Sequence, residues 1–127
     1  MKRRALFFVL LISLFAVSFA VPLVSAQDSP TVAVLTPYLA QPGTQFMVEG
    51  FQAAAEAKGW TVDVIDTAGD IAALNSRLQD VVTQGVDAIV INVDPAQVTT
   101  LKDANDAGIP VFGMDAGTVP ELVVNVT

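Results

Sequence analysis

The sequence contains no cysteine and no histidine, and these absences remove whole classes of function. Without cysteine there is no disulfide, no thiol nucleophile and no thiolate ligand for zinc. Without histidine there is no imidazole base, so most hydrolase mechanisms lack their usual groups. We therefore expect a fold stabilised by a packed apolar core, with no metal site, no cofactor and no enzymatic activity.

Basic residues are scarce as well. The chain has six Lys and Arg against thirteen Asp and Glu, a formal net charge of −7. Three of the bases lie within the first four residues and all thirteen acids follow Ala26, so residues 27–127 carry a formal charge of −10. So acidic a surface repels phosphates, which argues against nucleic acid and anionic membrane surfaces as partners.

The amino terminus is typical of a secretory signal peptide, residues 1–26. Its basic start precedes an uncharged apolar run (residues 5–21), and VSA at 24–26 supplies small residues for cleavage. We predict cleavage before Gln27, which places the mature chain in the periplasm or outside the cell. A retained membrane anchor is the alternative, because the run approaches the length of a spanning helix.

Residues 27–127 form one predicted domain in which apolar runs alternate with amphipathic stretches. The β-branched runs predict buried strands at residues 31–36, 61–66, 88–92, 110–114 and 122–126. Helices are predicted at about 45–58 and 71–84, and a third from Asp94–Pro95 to Gly108. No hairpin dipeptide joins neighbouring strands, so the fold class is α/β, a Rossmann-like parallel sheet with helices on both faces.

Polar residues follow several of these strands, at the edge where open parallel sheets bind ligands. Asn92 is predicted to point into the crevice, whereas Asp94, directly before Pro95, is predicted to cap a helix. Asp66 favours a turn over a ligand contact. For Asp115 the spacing leaves a turn and a ligand contact equally open, and the role of Asp70 is also open.

Other residues favour structural roles or exclude particular chemistries. Trp60 is predicted to pack on the sheet, and Asp87, which precedes its strand, is predicted to be solvated. No glycine-rich loop follows the first strand, so the sequence lacks the backbone segment with which dinucleotide and P-loop sites bind phosphate. Paired carboxylates for glycoside hydrolysis remain an alternative by residue type alone.

The order of these segments resembles the amino-terminal lobe of the ribose-binding-protein-like group of type I periplasmic binding proteins. The resemblance rests on QGVDAIVINVDP at 84–95 and AGIPVFGMD at 107–115, and extends from about Thr31 to Thr127. It implies the first lobe, here incomplete, of a two-lobed monomeric receptor. Such a receptor closes on a small solute, typically a monosaccharide, and delivers it to the membrane subunits of an ABC importer.

Two other functions stay open beside this one. A ligand-sensing ectodomain for a membrane signalling receptor would use the same binding lobe. An exported carboxylate-based hydrolase is less favoured. Because one wall of a cleft cannot enclose a small solute, we expect this chain alone to bind its solute weakly or not at all.

The resemblance also implies site residues. In the family, an asparagine at the end of the "IN" strand and an aspartate after "IPV" plus three residues bind sugar hydroxyls, and these motif positions are Asn92 and Asp115 here. Such a carboxylate accepts hydrogen bonds from hydroxyls, whereas an amide both donates and accepts.

The chain departs from the ribose binders at neighbouring positions. Ala116 stands where they have an arginine, Gly43–Thr44 where they have two phenylalanines, and Gln41 where an asparagine precedes the loop proline. Tyr38 or Phe46 is expected to supply the aromatic ring. The solute therefore stays open among pentoses, hexoses, polyols and similar small polar molecules.

Overall fold

The computed structural model describes residues 29–126, and the predicted signal peptide lies outside them. Its strands are β1 (Thr31–Thr36), β2 (Thr61–Asp66), β3 (Ala88–Ile91), β4 (Val111–Met114) and β5 (Leu122–Val126). They form one five-stranded sheet in the order β2-β1-β3-β4-β5, and every neighbouring pair is parallel. The predicted α/β class is confirmed.

Three α-helices occur in the described part of the chain: α1 (Pro42–Glu56), α2 (Ile71–Gln84) and α3 (Leu101–Asp106). Helix α1 begins earlier than predicted because Pro42 suits the first helical turn. Helix α2 has the predicted bounds, with Asp70 capping its start and Gly85 its end at φ 73°. Within residues 29–126, no helix combines the length and the apolar character needed to cross a membrane.

The third predicted helix is wrong as a continuous element. A short 3-10 turn, Pro95–Gln97, is followed by extended backbone at Val98 before α3 begins. The β-branched run Val98–Thr100 disfavours a helix. Asn75 of α2 also binds this segment, since its Oδ1 accepts from the Thr99 backbone N–H at 2.8 Å and its Nδ2 donates to the Gln97 carbonyl at 3.1 Å.

Helices α2 and α3 cover one face of the sheet. Their buried residues Leu74, Leu78 and Leu101 pack against inward side chains of β1, β3 and β4. Those strand residues are Ala33, Leu35, Ile89, Ile91 and Val111. This larger cluster supplies most of the apolar burial that stabilises the domain.

Helix α1 covers only part of the other face. Its Val48 packs with Val32, Val34 and Val90 in a smaller cluster. Beside α1, over β3 and β4, an apolar groove of about 750 Å³ remains open. Trp60 lines this groove and is 39% exposed, so it lies on the sheet face as predicted but is not fully covered.

Asp87 is solvated as predicted, and it also makes a hydrogen bond to the backbone. Its side chain is exposed, but Oδ2 accepts a hydrogen bond from the Thr31 backbone N–H at 2.7 Å. The carboxylate therefore joins the start of β1 to the segment that leads into β3.

Candidate functional site

The candidate site lies where the strand order reverses. Strand β2 lies on one side of β1, and β3 lies on the other. The connection from β1 to β2 therefore runs in one direction across the sheet, and the connection from β2 to β3 runs back past β1 in the other direction. In open parallel sheets, this arrangement opens a crevice outside the carboxyl ends of the two central strands. Thr36 ends β1 and Asn92 directly follows β3, so both lie at this crevice.

Thr36 and Asn92 are bonded to each other. The Thr36 hydroxyl lies 3.2 Å from Asn92 Oδ1 and 3.3 Å from the Asn92 carbonyl, and it donates to these acceptors. It also accepts from the Tyr38 backbone N–H at 3.0 Å. One buried hydroxyl therefore ties the end of β1 to the end of β3 and to the loop that follows β1.

Asn92 continues this network to the next strand. Its Nδ2 donates to the Met114 carbonyl at the end of β4, at 2.6 Å, and the residue is only 4% exposed. An amide nitrogen has two donors and an amide oxygen two acceptor positions, so one of each is left after these bonds. The side chain holds three strand ends together and presents little surface to the crevice.

Asp115 follows β4 directly, as Asn92 follows β3, but differs from Asn92 in exposure and in hydrogen bonding. It is exposed, and its carboxylate has no hydrogen-bond or ion-pair partner among residues 29–126. Its backbone is in the left-handed region at φ 48°, and its N–H donates to the Val126 carbonyl at 2.7 Å. A carboxylate so placed is free to accept hydrogen bonds from a bound molecule.

The loop after β1 carries the other two candidate residues. Tyr38 is half-buried and packs against the cluster under α2 and α3. Gln41 is exposed at the start of α1, where its N–H donates to the Tyr38 carbonyl at 2.8 Å and its side chain makes no cap bond. Phe46, the alternative ring, is 78% exposed on α1.

Three neighbouring carboxylates have local backbone roles. Asp94 accepts from the Ala96 N–H at 3.0 Å, which confirms its predicted cap, although the element it caps is a 3-10 turn. Asp66 accepts from the Ala68 N–H at 2.9 Å, which confirms a turn, and Asp70 caps α2. Among residues 29–126, no three acidic side chains lie close enough to hold a metal ion.

The hydrogen bonds therefore connect the predicted site residues along one rim, from Gln41 through Tyr38, Thr36 and Asn92 to Met114, the neighbour of Asp115. The role of Thr36 as the bridge was missed by sequence reasoning. Its signal was its place at the end of a buried strand, where a hydroxyl needs a partner.

Comparison with known proteins gives the family of this fold. Residues 32–126 match the family described as periplasmic binding protein domain. The chain belongs to the periplasmic binding protein family. The ribose import binding protein of Bacillus subtilis (strain 168) is 30% identical over 101 residues, which are 75% of this chain and 33% of that protein.

Solved structures of this family share the fold. A solute-binding protein of an ABC transporter from Mycobacterium smegmatis, with bound glycerol, has 29% identity and a TM-score of 0.71, covering 77% of this chain and 35% of its own. LsrB from Clostridium saccharobutylicum, in complex with AI-2, has 30% identity and a TM-score of 0.65, covering 72% and 29%. The chain thus spans about a third of the length of these relatives.

The resemblance seen in the sequence is confirmed, because the matched homologues are sugar-type solute-binding proteins of ABC transporters. The family consists of substrate-binding transport proteins. The crevice at the strand ends is therefore the part of this chain where a solute-binding function has to be sought.

Proposed function

We propose that this chain is the first lobe of an exported receptor that captures a sugar or a similar small polar solute and delivers it to an ABC importer. The observation that carries the proposal is the exposed carboxylate of Asp115, beside the Thr36–Asn92 network at the strand-order reversal. Relatives named for ribose import and solved with bound glycerol support a polyhydroxyl solute.

Asp115 is the main contact in this proposal. An ionised carboxylate has only acceptor positions, which match the hydroxyl donors of a sugar, and its charge strengthens each bond. Asn92 contributes less, since it is 4% exposed and has one donor and one acceptor left. Its larger role is to hold the strand ends at fixed spacing.

Tyr38 and Gln41 complete the wall of the crevice. The half-buried ring of Tyr38 offers an apolar surface for the C–H face of a sugar, and its position is fixed by the bond from its N–H to Thr36. The exposed amide of Gln41 supplies both a donor and an acceptor at the outer end of the rim.

The mechanism we propose is closure of a second lobe over this wall, with no bond made or broken in the solute. Binding proteins bury most of a small ligand's surface. The single lobe leaves one side of the solute in water, so its dissociation constant is expected on the order of millimolar or weaker.

The test is an NMR titration of the ¹⁵N-labelled protein with ribose, glycerol and galactose up to high millimolar concentrations. We expect at least one of them to shift the backbone amides of Tyr38, Asn92 and Asp115, and those of the exposed helix residues Glu49 and Gln79 to stay unchanged. Asp115→Asn keeps the shape of the side chain but removes its charge, and should abolish most of the shift.

The proposal would be overturned if none of these solutes moved a rim amide, or if Asp115→Asn responded like the wild type. Shifts confined to the groove beside α1 would instead place the binding surface on the sheet face.

Export is the second testable part of the proposal. If the predicted signal peptide is removed, the amino terminus of the protein recovered from its source is Gln27. Intact-mass measurement and amino-terminal peptide mapping of the secreted fraction check this. A protein that still begins at residue 1 would instead support a membrane-anchored sensing ectodomain.

A further inference from the structure

The side chain of Asn125 in β5 is bonded to the backbone of a residue beside Asp115. Its Oδ1 accepts from the Ala116 N–H at 3.1 Å, and its Nδ2 donates to the Ala116 carbonyl. We call this pair of bonds the amide clip. It satisfies both backbone polar groups of a residue that is only 8% exposed.

The clip fixes the backbone directly after Asp115, and a different bond fixes it directly before. The Asp115 N–H donates to the Val126 carbonyl at 2.7 Å, so β5 binds both ends of this residue. Between these bonds Asp115 adopts φ 48°, a conformation that side-chain-bearing residues rarely adopt without support. The direction of its carboxylate therefore depends on β5.

Gly113 makes room for the clip. It pairs with Asn125 in the register between β4 and β5. A Cβ on Gly113 would lie 2.7 Å from Asn125 Oδ1 and 3.2 Å from the Ala116 Cβ. Any side chain at this position would displace the Asn125 amide, which explains why a glycine stands inside a buried strand.

We infer that Asn125 is a positioning residue for Asp115. It holds the turn after β4 so that the carboxylate is presented to the crevice before any solute arrives. Its importance for binding rests on the function proposed above, whereas its control of the Asp115 backbone does not.

Preorganisation gives the clip its effect on affinity. A carboxylate on a loose turn must be ordered when the solute binds, and that loss of freedom reduces affinity. Support by fixed backbone bonds removes most of this cost in advance. Loss of the clip should therefore weaken solute binding although Asn125 itself touches no solute.

The first experiment compares the ¹⁵N,¹³C-labelled protein with its Asn125→Ala variant, without solute. We expect exchange of the Ala116 amide proton to become roughly tenfold faster, and the scalar couplings of Asp115 to show that φ has left the left-handed region. Asn105→Ala is the matched control, because Asn105 donates to the Glu121 carbonyl in the same β4–β5 connection. It should leave both readouts unchanged.

The second experiment uses Gly113→Ala. It should reproduce both effects of Asn125→Ala, because the added methyl group displaces the same amide. In a protein that already carries Asn125→Ala, Gly113→Ala should change the two readouts little further, since the closest clash, with Asn125 Oδ1, is gone. Strict additivity of the two substitutions would contradict the clip.

The third experiment titrates whichever of ribose, glycerol and galactose shifts the rim amides of the wild type most, with the same amide shifts as the readout. We expect Asn125→Ala to lower the affinity for that solute severalfold and Asn105→Ala to leave it unchanged. If none of ribose, glycerol and galactose shifts a rim amide even in the wild type while the φ of Asp115 still moves in Asn125→Ala, the sugar-receptor proposal fails and the clip stands. If the φ of Asp115 and the exchange rate of the Ala116 amide proton are the same in Asn125→Ala as in the wild type, the positioning role is wrong.

Discussion

Thr36 shows how much one hydroxyl contributes to this crevice. Its side chain is fully buried at the end of β1, donates to Asn92 and accepts from the Tyr38 N–H. A buried polar group that loses its partner costs more than the bond itself was worth, because it no longer has water to replace it. The stability of the rim and its geometry therefore depend on the same atom.

Thr36→Val tests this dependence. The substitution keeps the shape of the side chain but leaves Asn92 Oδ1 and the Tyr38 N–H without their partner, so we expect the free energy of unfolding to fall by about 1–3 kcal/mol. Urea denaturation followed by circular dichroism measures the change.

Thr67→Val is the control, because the Thr67 hydroxyl is buried at the same rim and has no partner among residues 29–126. It should leave the protein equally stable or more stable. Equal losses in the two variants would mean that the hydrogen bonds of Thr36 contribute nothing.

Individual site residues were predictable from the sequence only in part. The positions of Asn92 and Asp115 at strand ends follow from the apolar runs before them. The partners of Asn92 do not, because they depend on which strands are neighbours. The Asn125–Gly113 pair was missed for the same reason, although an amide and a glycine inside two apolar strands were visible signals.

At the scale of elements, α2 is the helix with the best-defined ends. Asp70 accepts from the Ala73 N–H at 2.8 Å, and Gly85 ends the helix in the left-handed region. Its inner face, with Leu74, Leu78 and Val81, supplies a large share of the main core. Because α2 also holds the loop after β3 through Asn75, its stability affects the crevice wall.

Asp70→Ala should therefore destabilise the protein by about 1 kcal/mol, since it removes the side-chain acceptor for an amino-terminal N–H of α2. Thermal unfolding followed by circular dichroism measures the effect. Asp80→Ala, in the same helix, loses only an exposed pair with Arg77 at 3.4 Å and should change stability little. A loss as large for Asp80→Ala as for Asp70→Ala would contradict the cap.

The sequence predicted the bounds of α2 because its apolar spacing and its closing glycine agree, although the role of Asp70 as its cap was left open. The segment from Pro95 to Gly108 lacks this agreement. Its start signal is strong, but the β-branched residues at 98–100 oppose a helix and Asn75 binds their backbone instead. Asn75 lies on another element, so its competing bonds could not be inferred from local spacing.

At the scale of the whole molecule, the two edges of the sheet differ in chemistry. Edge strand β2 carries exposed Asp63 and Asp66, whose charges oppose pairing with another chain. At the other edge of the sheet formed by residues 29–126, β5 has no charge between Leu122 and Val126, and its Val123 is 63% exposed. An apolar edge without charges is prone to pair with other strands.

Val123→Lys should therefore reduce self-association of the protein without unfolding it. Val123 lies at the register shift in β5 and outside the groove, so a lysine there reaches water. Sedimentation velocity at increasing concentration measures the effect. Thr61→Lys, on the already charged opposite edge, is the control; if it reduced association equally, net charge and not the β5 edge would be the cause.

The sequence predicted a sheet with helices on both faces, and the structure confirms this. The sequence did not predict how unequally the helices cover the two faces. Apolar periodicity shows that a strand is buried somewhere, whereas the neighbour that buries it depends on strand order. The groove beside α1 arises because a single helix of the described residues 29–126 lies on that face and leaves part of β3 and β4 uncovered.

The strand order also has a consequence for how the protein is made. Strand β1 is the first to leave the ribosome, but both of its neighbours, β2 and β3, follow it along the chain. A pair of strands alone is marginal in water, so the centre of the sheet cannot form before Ile91 has been synthesised. For the export proposed above, a chain that stays unfolded until then has time to reach a translocation channel while it can still be threaded through.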